Sequence, residues 1–129
     1  MMFSHAILYV SDVVAAVKFY ERAFRLTTKF IHEENCYAEM ETGTTTLAFA
    51  SYELSTQFLP EALIQHHPSH RPQGIEIALD TKDVDAAYTH AISQGAISVN
   101  TPSEMPWGQQ VARVKDTDGI LVSLNSPMK

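Results

Sequence analysis

The chain has 129 residues, 45% hydrophobic and 19% charged, a balance that favours one folded domain and excludes an extensively disordered protein. Its formal charge of −6 comes without basic runs, which argues against a nucleic-acid partner. One cysteine excludes an internal disulfide, no apolar run reaches membrane-spanning length, and no signal-peptide pattern precedes the first predicted strand. We therefore expect a cytoplasmic protein without a membrane partner.

The first half of the sequence predicts a strand, a helix and three more strands. Residues 3–10 carry the apolar spacing of a buried strand, and Ser11-Asp12 predicts the start of a helix that ends near Phe24. The three following strands are predicted near 27–33, 36–41 and 45–51. The step Thr42-Gly43 predicts the tight turn before the last of them.

Residues 52–73 interrupt this pattern with three prolines and three histidines, which predicts an irregular linker with one helical turn around 60–65. The histidines are His66, His67 and His70, and three imidazoles in five residues invite a metal-binding interpretation. Pro68 and the lack of nearby cysteine or acidic ligands give them no fixed geometry. We favour a solvent-facing linker that lies over a binding cavity or apart from it.

The second half predicts the same elements again. A strand over 74–81 is followed by a helix over 83–94 that Gly95 closes. Further strands are predicted near 97–101, 109–116 and 120–125, with Asp118-Gly119 as the last hairpin turn.

The two halves are an internal repeat. At a constant offset of 71, residues 5–17 and 76–88 share Leu8/Leu79, Asp12/Asp83, Val13/Val84, Ala15/Ala86 and Ala16/Ala87. We predict an α+β fold of two tandem βαβββ modules in a single domain, 1–129. Module one is 1–51, the linker 52–73 and module two 74–129. We expect the two modules to form one domain because neither module alone covers its sheet face.

The sequence pattern resembles that of the vicinal oxygen chelate superfamily, which includes glyoxalase I, bleomycin-resistance proteins and extradiol dioxygenases. The resemblance covers nearly the whole chain. Its carriers are His5-Ala-Ile-Leu-Tyr-Val-Ser-Asp-Val, Phe19-Tyr20-Glu21-Arg22-Ala23-Phe24, Asp83-Val84-Asp85-Ala86-Ala87, Pro106-Trp107-Gly108-Gln109 and Asp116-Thr117-Asp118-Gly119. The Pro-Trp-Gly-Gln step is closest to the antibiotic-resistance-like and glyoxalase-like members. The resemblance implies a cup-shaped mixed sheet with helices on the outside, and a homodimer.

The resemblance also implies where a metal would bind. Carried over by position, the first strands supply His5 and Glu76, and the last strands supply Ser123 and Leu47, or Ala48 if the register differs by one. An imidazole and a carboxylate suit Zn, Ni, Mn or Fe, whereas serine is a poor ligand and leucine or alanine is none. We therefore expect no cofactor, with a divalent metal as the alternative, and expect His5 and Glu76 to act as hydrogen-bonding groups.

Other residues are candidates for contacting a small-molecule ligand. Trp107 lies in a predicted turn and either stacks on a ligand or caps the edge of the core. Gln109 follows beside it, and Ser123 occupies the last-strand position described above. Tyr37 and Phe49 either line the cup or pack in the core. Cys36 has no base beside it in sequence, which indicates an inert small hydrophobe.

We expect a glyoxalase/bleomycin-resistance-like protein that binds a small, partly apolar molecule, without a complete metal site. The acidic balance suits a cationic ligand. The alternative is a divalent-metal-dependent lyase or isomerase of the glyoxalase I type, so whether the chain is an enzyme stays open. A third alternative is an accessory domain whose cup has lost its ligand.

Overall fold

The same strand and helix arrangement occurs twice in the structure, a computed structural model that describes residues 1–128. The chain divides into two units, Met1–Gln65 and His66 onward, and each contains a four-stranded mixed sheet and at least one helix. The α+β class and the two tandem βαβββ modules are therefore confirmed. No helix within these residues is long and apolar enough to cross a membrane.

The first unit follows the predicted order, with one further short helix after its last strand. Its elements are β1 (His5–Val10), α1 (Val13–Phe24), β2 (Thr27–Ile31), β3 (Tyr37–Glu41), β4 (Thr46–Ser51) and α2 (Tyr52–Ser55). The strand order is β1-β4-β3-β2, so the last strand lies between the first and the third. β1 is parallel to β4, and the other pairs are antiparallel.

Local sequence signals explain why α1 forms where it does. The Asp12 carboxylate accepts a hydrogen bond from the Ala15 amide at 3.0 Å, which is the capping interaction that the sequence predicts. The helix ends at Arg25, which adopts the left-handed conformation at φ 56°. Its apolar stripe is buried, and the ring of Tyr20 packs edge-on against Phe49 of β4 with centroids 4.8 Å apart.

The second unit repeats this plan. Its elements are β5 (Glu76–Asp80), α3 (Val84–Ser93), β6 (Ile97–Glu104), β7 (Gln110–Lys115) and β8 (Leu121–Asn125). The strand order β5-β8-β7-β6 and the parallel pairing of β5 with β8 match the first unit. Asp83 caps α3 through the Ala86 amide at 3.0 Å, and Gly95 follows the helix at φ 110°.

The predicted helical turn around 60–65 is wrong. That segment contains neither helix nor strand, and the helical turn of the linker is α2 instead. The Ser51 hydroxyl accepts from the Leu54 amide at 3.0 Å, so a capping side chain initiates a helix directly after β4. Pro60 has no amide hydrogen to donate to a helical turn.

The histidine-containing half of the predicted linker belongs to the second unit, where it packs on the β7–β8 hairpin. Lys115 Nζ donates to the Pro68 carbonyl at 2.7 Å. Gly119, at φ +92° in the hairpin turn, lies so close to His67 that an added Cβ would be 2.4 Å from the His67 carbonyl oxygen. The backbone of this segment is therefore held at two points, by the Lys115 side chain and by Gly119.

Candidate functional site

Each module has a sheet face that carries polar side chains. In the first module Phe49 and its cross-strand partner Ala38 face α1, so the alternate residues Tyr37 and Glu39 project from the opposite face. β1 continues this face, because Ile7 pairs with Ala48, which also pairs with Glu39. His5 lies one alternate position along β1 from Ile7 and is on the same face.

Three side chains surround Glu39 on this face. His5 Nε2 lies 3.1 Å from Glu39 Oε2, which bridges β1 and β3 across β4. The Tyr37 hydroxyl donates to the same Oε2 at 2.7 Å, and Lys29 Nζ lies 3.8 Å from Oε1. His5 Nδ1 lies 2.9 Å from the Ser4 hydroxyl. Both nitrogens of the His5 ring therefore have neighbours within the module.

The electrostatics of the cluster favour an ionised Glu39 and a protonated Tyr37. The hydrogen bond from Tyr37 lowers the pKa of Glu39, and His5 and Lys29 lower it further, against the opposing effect of burial. Burial, together with the hydrogen bond and charge of Glu39, raises the pKa of Tyr37 to about 12. The carboxylate is thus a fixed acceptor, and the phenol is a fixed donor to it.

The second module has the equivalent arrangement, but its acidic group is on the first strand and its basic group on the third. Glu76 occupies the position of His5 at the start of the first strand, and Arg113 occupies that of Glu39 on the third. Arg113 Nε donates to Glu76 Oε1 at 2.7 Å, across β8. The guanidinium places a positive charge beside the carboxylate, which disfavours a divalent cation at the same oxygen.

The last-strand positions are Ser123 and Ala48, not Leu47. Ser123 pairs with Arg113 and Ala78, as Ala48 pairs with Glu39 and Ile7. Leu47 is one residue out of register and lies on the buried opposite face. Ser123 is 1% exposed, and its hydroxyl accepts from Asn125 Nδ2 at 3.0 Å.

The two aromatic residues predicted for the first module lie on opposite faces. Tyr37 is half-buried on the polar face, with its hydroxyl on Glu39 and its ring 6.1 Å from the Phe30 ring. Phe49 is fully buried against Tyr20. Phe49 therefore has the second of its two predicted roles, packing in the core.

Trp107 and Gln109 lie together in the β6–β7 turn of the second module, where they line a cleft of about 250 Å³ with Ser126, Pro127 and Met128. The indole is 62% exposed, and its Nε1 donates to Gln109 Oε1 at 2.9 Å. Gln109 Nε2 in turn donates to the Ser126 carbonyl at 2.8 Å. This chain of hydrogen bonds orients the indole while leaving most of its surface exposed.

The three histidines of the predicted linker differ in burial and in their contacts. The rings of His67 and His70 are 4.8 Å apart, and the Ser69 hydroxyl lies 2.7 Å from His67 Nδ1. Burial lowers the pKa of His66, although the charge of Asp116 opposes this effect. His66 is half-buried, while His67 and His70 are fastened to the hairpin through their backbone.

Sequence reasoning missed Glu39 and Arg113, the charged partners of the two first-strand residues. A local signal was available, since each lies at an alternate position of an otherwise apolar strand, in Tyr-Ala-Glu-Met and Val-Ala-Arg-Val. Their pairing with His5 and Glu76 depends on the insertion of β4 and β8 between first and third strands.

The chain is similar to known proteins in sequence pattern and in fold. A family model described as Glyoxalase/Bleomycin resistance protein/Dioxygenase superfamily matches residues 2–124. A glyoxalase-related enzyme from Fulvimarina pelagi is 16% identical with a TM-score of 0.84, over 98% of this chain and 88% of that one. A glyoxalase/bleomycin resistance protein/dioxygenase family enzyme from Burkholderia phytofirmans PsJN is 21% identical with a TM-score of 0.75, over 99% and 100%. No curated protein sequence is significantly similar to the chain.

Proposed function

Since the chain belongs to the glyoxalase/bleomycin resistance protein/dioxygenase superfamily, we propose that it binds a small, partly apolar molecule without a complete metal site at its first-strand and last-strand positions. The observation that carries the proposal is the exposed Trp107 indole, oriented by Gln109 and lining a cleft in the second module. An indole held in one orientation loses little freedom when a planar ligand stacks on it.

A planar, cationic ligand fits these features best. The face of an indole attracts cations, and the chain carries a net charge of −6. The Gln109 amide and the Ser126 backbone add polar contacts at the edge of the cleft, and Pro127 and Met128 add apolar ones. This combination of stacking, polar and apolar surfaces is typical of small-molecule sites.

The first test is Trp107 fluorescence, because the chain has one tryptophan and every change in indole emission reports this cleft. We expect saturable quenching by members of a library of planar cations. Trp107→Leu should weaken the binding of such a compound, measured by calorimetry, by about 5- to 30-fold, which corresponds to roughly 1–2 kcal/mol of stacking and cation–π attraction. The matched control is Phe58→Leu, which removes another exposed aromatic ring. Equal binding by the Trp107→Leu variant would overturn the proposal.

The second candidate function is a metal-dependent lyase or isomerase of the glyoxalase I type. It is favoured by His5 and Glu39, an imidazole and a carboxylate that lie 3.1 Å apart on one sheet face. It is disfavoured by the guanidinium beside Glu76, by the methyl group of Ala48 and by the buried hydroxyl of Ser123. Calorimetric titration with Ni, Zn, Mn and Fe(II) of the protein without a histidine tag tests it. Binding abolished by His5→Ala and kept in Cys36→Ser would favour the enzyme.

We further propose a homodimer. The first module exposes the large apolar side chains of Ile7, Phe30 and Ile31, which a second copy of the chain would cover. Light scattering after size-exclusion chromatography measures the mass directly. A mass of 14.4 kDa, that of one chain, at micromolar concentration would contradict the proposal.

A further inference from the structure

The β2–β3 hairpin brings together three side chains that carry metal-ligating atoms. They are His32, Glu34 and Cys36, and one ring nitrogen, one carboxylate oxygen and the Sγ all lie within 4.8 Å of one another. His32 and Glu34 are exposed, and Cys36 is half-buried. The three residues alternate along the turn and lie apart in sequence from the first-strand and last-strand positions discussed above.

Backbone hydrogen bonds fix the turn that carries these residues. The His32 amide donates to the Tyr37 carbonyl at 2.8 Å, and the Asn35 amide donates to the His32 carbonyl at 2.8 Å. Asn35 adopts the left-handed conformation at φ 58°, which asparagine tolerates better than most residues. The Cys36 carbonyl accepts from the Ser51 amide of β4 at 3.0 Å. A ligand that binds here does not have to order the loop first.

The ring of His32 also has a defined neighbour. Its Nδ1 accepts a hydrogen bond from the Glu34 amide at 3.2 Å, the upper end of the usual range. The bond holds the imidazole over the turn, near Glu34. Because the site is exposed, water can replace this bond when a metal takes the ring lone pair.

We propose that His32, Glu34 and Cys36 form a zinc site with its fourth position open to water. Zinc combines imidazole, carboxylate and thiolate ligands in tetrahedral sites, and a thiolate disfavours Mg²⁺ and Ca²⁺. Bond lengths of about 2.0–2.3 Å place tetrahedral ligand atoms roughly 3.5 Å apart. The three atoms therefore need to approach by about 1 Å, which rotation of exposed side chains supplies. This role replaces the inert one that the sequence suggested for Cys36.

The single cysteine makes the experiment selective. Cobalt(II) replaces zinc in such sites, and a thiolate-to-cobalt charge-transfer band can arise in this chain from Cys36 alone. Untagged, reduced protein is titrated with cobalt and then with zinc. We expect a band that saturates at one cobalt per chain and disappears when zinc is added. Zinc should also slow the alkylation of Cys36.

Variants separate a built site from a lone thiolate. Cys36→Ser should abolish the band, and His32→Ala and Glu34→Gln should each weaken cobalt binding by more than the roughly 10- to 100-fold that loss of an outer-sphere partner costs. The matched control is His5→Ala, which removes an imidazole elsewhere in the same module and should leave the titration unchanged. No band in the unaltered protein would overturn the proposal. So would a band insensitive to His32→Ala and Glu34→Gln, or one that saturates at half a cobalt per chain, since both indicate a thiolate adduct without this ligand set.

Discussion

Replacing Gly119 with alanine should be strongly destabilising, because this glycine meets two structural demands at once. Its φ of +92° is disfavoured for residues with a side chain. A Cβ there would lie 2.4 Å from the His67 carbonyl oxygen, 2.6 Å from the carbonyl carbon and 2.9 Å from the Pro68 nitrogen. All three are backbone atoms, so no side-chain rotation relieves the overlap.

The two effects can be estimated separately. The left-handed backbone costs a non-glycine residue about 1–2 kcal/mol. Moving the 67–68 backbone out of contact resembles the overpacking of a core, which costs roughly 1–3 kcal/mol. We therefore expect Gly119→Ala to lower the free energy of unfolding by about 2–5 kcal/mol, and the Tm by roughly 10–20 °C for a chain of this size.

Gly43→Ala is the matched control. Gly43 has nearly the same φ, +91°, but no heavy atom lies within 4 Å of the position of its Cβ. Urea and thermal unfolding of both variants should show only the conformational cost at Gly43 and the additional steric cost at Gly119. Equal losses in the two variants would refute the close packing of the 67–68 segment on the β7–β8 hairpin.

Three further predictions concern polar contacts. Tyr37→Phe should raise the pKa of Glu39 and lower stability at neutral pH. The pKa of the Glu39 carboxylate is lowered on folding, so the ionised group stabilises the fold at pH values above its ordinary pKa of about 4.3. This contribution is lost as the pH falls through the lower pKa of the folded state. Urea unfolding should therefore show the free energies of unfolding of the two proteins converging in acid. Lys115→Met should cost about 1–2 kcal/mol in the same assay, because it removes a charged donor from a 2.7 Å bond to a backbone carbonyl, and no change would contradict that bond. Arg113→Met should cost only about 0.5 kcal/mol, since Arg113 and Glu76 keep 32% and 34% of their side chains exposed, and a loss above about 2 kcal/mol would show that solvent does not screen the pair.

The fold could be predicted because its signals are local and occur twice. Asp12 and Asp83 cap the two main helices as expected, and Gly43 and Gly119 adopt positive φ in the predicted turns. The predicted family is confirmed over residues 2–124. The helix caps and the turns are each set by residues close together in the chain, which is why the sequence pattern predicts them.

The site was harder to predict because its geometry depends on strand register. Counting four residues from the turn glycine gives Ser123 in the second module but Leu47 in the first. β4 begins three residues after Gly43, whereas β8 begins two residues after Gly119. One extra turn residue therefore shifts the position to Ala48. Likewise, the contact of His5 with Glu39 spans 34 residues and an intervening strand, which no periodicity encodes.

The placement of two unique residues allows a distance in this protein to be measured by fluorescence energy transfer. Cys36 is the one thiol and lies in the β2–β3 hairpin of the first unit, while Trp107 is the one indole and lies in the β6–β7 turn of the second. An acceptor dye attached to Cys36 would take up energy from Trp107 without any engineered label site. The efficiency of that transfer depends on the distance between the two residues, so it would measure their separation in solution.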